Sequence, residues 1–228
     1  MARWLDPSEV PSSEELFFRR YIRPGDVVID AGANIGFFTL VASVLVSDLG
    51  KVYSIEAHPR IFKYLEGNVA INKCKNVHTY NIALGDKNGT INFSNKKDDD
   101  QNFIQPGLEI EVQMAELDGL GITDDYISLL KIDVEGYEKF VLEGAVETLR
   151  RVQCIFFESW EEHFSRYGYT CGDIFKILHE QGFRVFRIVH NVIFPVPETY
   201  VSKKCENLVA LRETTDFMRR TGFTFEKQ

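Results

Sequence analysis

Apolar positions along the chain switch between two periods. Residues 26–32 (DVVIDAG) are a short β-branched run closed by glycine, the pattern of a strand buried on both faces and stopped by a turn. Residues 35–47 read as a strongly apolar helix, 51–57 as a second strand, and 59–72 as a helix with Pro59 in its first turn, where a missing N–H is harmless. A third strand follows over 77–84. The alternation then breaks. Residues 86–93 contain the hairpin pair Asn88-Gly89, 95–107 are polar and charged, and 110–117 form another strand. It resumes with strand 127–136, helix 137–151, strand 152–159, helix 171–181, strand 183–189 and a last strand over 207–213. Near the start, Ser12-x-x-Glu15 has capping-box spacing and predicts a short helix leading into Pro24-Gly25.

Strands that are nearly all apolar, alternating with helices, predict an α/β fold. Its sheet is open and mostly parallel, with seven principal strands and helices on both faces. The last two strands have no clear helix between them, which implies one antiparallel insertion. In such sheets ligands bind beyond the carboxyl ends of the strands, so the residues at those ends carry the candidate chemistry.

The first strand ends in Asp30-Ala31-Gly32-Ala33-Asn34-Ile35-Gly36. Gly32 permits a tight turn, Gly36 a close approach of the helix to the sheet, and Asn34 tolerates left-handed backbone. A dinucleotide fingerprint needs G-x-G-x-x-G; here Asn34 stands at the middle glycine. A pyrophosphate wants bare N–H groups, whereas this turn offers the Asp30 carboxylate, which suits a cationic ligand. S-adenosylmethionine, with its ammonium and sulfonium, is the better fit. Taken alone, the turn also suits an ordinary strand–helix connection. Glu56 shifts that balance, since an acid ending the second strand is placed to accept both ribose hydroxyls of an adenosyl group. The adenine is then expected near Ala83, Leu84 and Gly85.

A second constellation closes the later strands. Asp133 ends the run LLKIDVEG and is expected to be a buried carboxylate in need of a partner. Glu158 ends the next strand, followed by Trp160 and His163. Asp133, Glu158 and His163 are the candidate bases for a hydroxyl, with Asp133 better suited to the cofactor's methionine end. Asp133 and Glu158 also offer oxygens to Mg²⁺, but no third ligand stands out, so no metal is expected and Mg²⁺ is the minority alternative. Trp160, Phe164, Tyr167 and Tyr169 suit either an acceptor platform or plain packing. Residues 95–107 suit either a lid over the acceptor or a solvated loop, with Phe103 and Ile104 on the side of the lid.

The segments DAGANIGFFT (30–39, ending in Thr39), SIEAHP around Glu56, NIALGDKNG (81–89) and LLKIDVEGYEKFVLEGA (129–145) together closely resemble the FkbM family of S-adenosylmethionine-dependent methyltransferases. The resemblance covers roughly residues 12–190. It implies a Rossmann-like class I methyltransferase fold with a reversed terminal strand. It also implies methylation of a hydroxyl on a sugar, glycolipid or natural product. Asp30, Gly32, Asn34, Gly36, Thr39, Glu56, Ala83 and Asp133 are the cofactor-binding set it implies. One departure is His58, where many relatives carry proline; Glu56 is unaffected. The domain reading is a helical segment over 1–24, the methyltransferase domain over 25–213, and a tail over 214–228.

The 228-residue length and 44% apolar content fit one domain with a full core. The net charge of −8 gives no footprint for nucleic acid or an anionic membrane, so the expected partner is a small-molecule or glycan hydroxyl acceptor. The longest apolar run, 37–46, is too short to span a bilayer. The opening residues lack a secretory pattern and the four cysteines are scattered, which predicts reduced thiols and a cytoplasmic location. Two other classes compete: a nucleotide-binding oxidoreductase, weakened by the absent glycine, and a non-catalytic protein that keeps the fold.

Overall fold

In the computed structural model, which describes residues 13–93 and 110–226, successive residues of β1 (Val27–Ala31) enter different cores. Val28 packs with Val52, Leu129 and Phe156 on one face of the sheet; Ile29 packs with Ile55, Leu130 and Phe157 on the other. This is what a strand without polar alternation requires, since both faces must be covered. The first face is covered by α1 (Ser13–Tyr21), α2 (Phe37–Val46) and α8 (Thr214–Thr221). The second is covered by α4 (Glu138–Glu143), α5 (Val146–Leu149), α6 (Glu161–Ser165) and α7 (Cys171–Glu180).

Among the described residues the central sheet has nine strands. From one edge they run β3 (Val77–Tyr80), β2 (Lys51–Ile55), β1, β7 (Ile127–Ile132), β8 (Val152–Ser159), β11 (Glu206–Leu211), β9 (Arg184–Val189), β10 (Val192–Pro195) and β12 (Thr224–Phe225). The first five are parallel, and β11 runs antiparallel to both its neighbours. All seven expected strands are present with one reversed. The short β10 and β12 widen the far edge.

Three local readings change. The third strand is split at Asn81, whose side-chain amide donates to the carbonyls of Glu56 and Ala57 at 2.9 and 3.0 Å. A side chain thus ends the ladder there. The chain turns away as β4 (Ala83–Leu84), which joins β6 (Ile110–Ala115) and β5 (Gly89–Phe93) in a separate three-stranded sheet. The helix expected over 137–151 is interrupted at Gly144-Ala145 into α4 and α5. Residues 214–226, read from sequence as a tail, carry α8 and β12, and Phe217 and Phe223 are buried in the same cluster as Phe17 and Tyr21 of α1. Ser12 of the expected capping box, and Phe103 and Ile104 of the expected lid, lie outside the described residues. All four cysteines are free thiols.

Candidate active site

The carboxyl ends of β1, β2, β7 and β8 converge, and every expected site residue except Ala83 lies on or beside them. After β1 the chain makes the tight turn 32–36. Gly32 has φ +78°, and a Cβ there would stand 1.8 Å from the carbonyl oxygen of Asp133, so the turn lies directly against the chain leaving β7. Asn34 is left-handed (φ 50°), as expected, and its side-chain oxygen accepts the N–H of Ile35 at 2.6 Å. Gly36 differs from expectation. Its near neighbour is Leu65 of α3 (Pro59–Ile71), not the sheet.

Glu56 closes this turn. One carboxylate oxygen accepts the N–H of Asn34 at 2.9 Å and the other that of His58 at 2.8 Å. Burial pushes its carboxyl up to about 7, against the pull of those two N–H groups. His58 caps α3 by accepting the N–H of Arg60. Ala83 is buried with Val112, Met114 and Tyr137 in the apolar cluster of the small sheet.

Beneath the turn is a charged network that the sequence placed at the mouth. Asp30 is 0% exposed. Thr39, also buried, donates to one of its oxygens at 2.6 Å and lies 2.9 Å from the Ser54 hydroxyl. Lys131 approaches the other oxygen at 3.5 Å and Asp133 at 3.2 Å. Burial pushes the Asp30 carboxyl up, and Lys131 and Thr39 pull it back. Burial works against the Lys131 charge, yet Asp133 and Asp30 outweigh it and hold the ammonium well above its usual range. Two expectations therefore exchange places. Asp30 and Thr39 support the turn from below. Asp133, whose side chain is 41% exposed, is the carboxylate at the surface of the cleft, already paired with Lys131.

The rim over β7 and β8 holds a third group. Glu135 and Gly136 are both left-handed, at φ 56° and 97°. This conformation is held from inside by Glu138, a fully buried residue whose Oε1 accepts the N–H groups of Val134 and Gly136 at 3.1 and 3.4 Å. Burial pushes the Glu138 carboxyl up to about 8. Across the gap, Nδ1 of His163 on α6 stands 3.3 Å from Glu158 and 3.7 Å from Glu135. Burial resists ionisation of Glu158, but His163, the Cys205 thiol at 3.0 Å and Lys131 prevail and hold its carboxyl below the usual range. The Trp160 ring lies 4.2 Å from that of His163. Phe164 and Tyr169, by contrast, are core residues, and the Tyr169 hydroxyl donates to the Gly136 carbonyl, so an aromatic platform of four is not formed. Glu14 of α1 reaches the same rim, bonded to the side-chain amide of Asn207.

Sequence reasoning brought out Glu158 and His163 but missed Lys131, Glu135, Glu138 and Glu14. Three of these stand in the segment KIDVEGYE, where the alternation of Lys131, Asp133 and Glu135 was the available signal.

The sequence profile of the Methyltransferase FkbM domain matches residues 30–185. "Methyltransferase 1" of Beauveria bassiana is 29% identical over 143 residues, 51% of this chain and 57% of that protein, so the chain spans little more than half the length of this curated relative. Among solved structures, an S-adenosylmethionine-dependent methyltransferase from Aquifex aeolicus superimposes with TM-score 0.52 at 20% identity, over 92% of this chain and all of the other. A methyltransferase FkbM from Methylobacillus flagellatus gives TM-score 0.52 at 13% identity, over 86% of this chain and 50% of the other. At these identities the structures speak for the fold. The profile match over most of the chain speaks for the family: this chain belongs to the FkbM family of S-adenosylmethionine-dependent methyltransferases.

Proposed function

We propose that the chain transfers the methyl group of S-adenosylmethionine to a hydroxyl of a small-molecule or glycan acceptor, such as a sugar, glycolipid or natural product. The observation that carries this reading is Glu56, an acid locked by two backbone N–H groups at the mouth of the glycine turn. A carboxylate there accepts ribose hydroxyls and repels a diphosphate. Gly32, Asn34 and Gly36 shape the turn, Asp30 and Thr39 brace it, and Asp133 beside Lys131 faces the charged methionine end.

The transfer is an in-line displacement. The hydroxyl oxygen bonds to the methyl carbon while the sulfonium leaves with the C–S electron pair as a neutral thioether. The protein supplies alignment and close approach. Glu135, Glu158 and His163 form the polar end that receives the hydroxyl, whose proton passes to solvent water. Asp133, an expected base, is occupied by Lys131 and serves the cofactor instead.

Calorimetry tests the cofactor half: S-adenosylhomocysteine gives heat, NAD gives none, and Glu56→Ala abolishes the first. The reverse ligand preference overturns the reading. Transfer of labelled methyl from the donor into an alkali-stable ether, rather than an ester, tests the acceptor half.

A further inference from the structure

We propose that Glu135, Glu158 and His163 are the protein ligands of one divalent transition-metal ion of the Mn²⁺ class, on which the acceptor hydroxyl takes an open position. Only that last clause rests on the methyl-transfer reading; the ion site stands on its own geometry.

The donors are already gathered. One atom from each residue lies within 4.8 Å of the other two, with the imidazole nitrogen 3.3 and 3.7 Å from the two carboxylates. Metal bonds of about 2.1 Å meeting at about 90–110° place donor atoms about 3.0–3.4 Å apart. Small rotations of the glutamates complete the set.

The nitrogen itself asks for a ligand. His163 is 6% exposed, and its Nδ1 has no hydrogen-bond partner. The nearby Glu158 oxygen lies off the axis that a ring N–H would need. A buried polar nitrogen without a partner is costly, and a metal ion removes that cost by taking the lone pair. The carboxylates are steered toward the same point. The Cys205 thiol holds Oε1 of Glu158 and leaves Oε2 facing the ring. The backbone at Glu135 is left-handed, and its Oε2 stands 3.7 Å from the same ring nitrogen.

The surroundings are acidic as well. Burial is the first cause that pushes the Glu14 carboxyl up; Asp133 and Glu158 add to it, against the pull of Lys131.

One imidazole and two carboxylates suit Mn²⁺, Fe²⁺ or Zn²⁺ better than Mg²⁺ or Ca²⁺, which prefer all-oxygen shells. Three protein ligands leave positions open for water and a substrate oxygen. A hydroxyl bound there gives its proton more readily to solvent water. Its oxygen then forms the bond to the methyl carbon as the C–S pair returns to sulfur.

The test uses the full chain, stripped with EDTA and dialysed, then titrated with MnCl₂ by calorimetry, with free Mn²⁺ followed by electron paramagnetic resonance. Parallel titrations with S-adenosylhomocysteine report an intact fold. One Mn²⁺ per chain, bound at about 100 μM or tighter, is expected. Glu135→Gln and His163→Gln each weaken it at least about tenfold while keeping their response to S-adenosylhomocysteine. If His163→Gln fails to fold, Glu135→Gln decides. Absence of bound Mn²⁺ in the wild type, equal binding in the variants, or Mg²⁺ binding at least as tight as Mn²⁺ overturns the proposal. Response to S-adenosylhomocysteine without Mn²⁺ binding removes the ion and leaves the methyltransferase reading. Mn²⁺ binding without a response to S-adenosylhomocysteine does the opposite.

Discussion

Two groups of carboxylates flank the end of β7, and the protein treats them in opposite ways. Inside, Asp30 and Asp133 share Lys131, and Thr39 ties Asp30 to Ser54. This group matches charge with charge and braces a turn. Outside, Glu135 and Glu158 converge on a histidine nitrogen that finds no hydrogen bond. A buried ring nitrogen left without a hydrogen bond beside two carboxylates is the mark of a group kept for something that binds. The contrast separates scaffold from chemistry more sharply than position along the strands does, since both groups occupy the same edge of the sheet.

The largest expected effect breaks the inner group. Lys131→Met strands the buried Asp30 charge and costs about 3–5 kcal/mol in urea unfolding; adding Asp30→Asn restores much of the loss. A Lys131→Met variant as stable as the wild type would erase the distinction. The second acts on the outer group. His163→Ala lowers methyl transfer by about a hundredfold or more, while binding of S-adenosylhomocysteine and the melting temperature stay near wild-type values.

The third prediction uses pH. The Glu56 carboxyl stands near 7 in the folded chain and at its ordinary value of 4.5 when unfolded. Between those values the folded state holds more protons than the unfolded one, so this residue's contribution to stability falls as pH rises from 4.5 to 7. Cofactor affinity runs the other way. Ribose hydroxyls favour the ionised form, so affinity for S-adenosylhomocysteine drops by up to about tenfold per pH unit below 7, a dependence that Glu56→Gln removes. The smallest effect belongs to Glu138. Glu138→Gln keeps an acceptor for the Val134 and Gly136 N–H groups and shifts stability at pH 7 by about 1 kcal/mol or less. It also removes this residue's share of the stability decline as pH rises from 4.5 to about 8. Glu138→Ala, which leaves those two donors unanswered, is markedly worse.

Much of this was legible in the sequence because it depends on local period and turn chemistry. The β-branched runs and Asp30–Gly36 fixed the order of strands and the edge where the site lies. Depth was not legible. Nothing in the string tells Asp30 from Asp133, since both end apolar strands; only the register that sets Asp30 opposite Lys131 decides which is covered. The departure of Ala83 from the main sheet was hidden for the same reason, because an apolar dipeptide serves either sheet. Glu135 belongs to the same run as Asp133, and only its left-handed backbone and its approach to His163 mark it out. His163 was found, but its partners come from two other elements and had no spacing to give them away.

The contact between Gly32 and the Asp133 carbonyl has a mechanical consequence. With no room for even a methyl group, the two loops are welded into a single piece, and neither can swing while the other stays still. On the proposed reading, the distance between the seat of the donor and the rim that receives the acceptor is thereby set as the sheet folds, as in a jig. On that reading the cleft opens from the surrounding segments with the spacing untouched, and acceptor choice can drift in evolution while the reach of the methyl group stays constant.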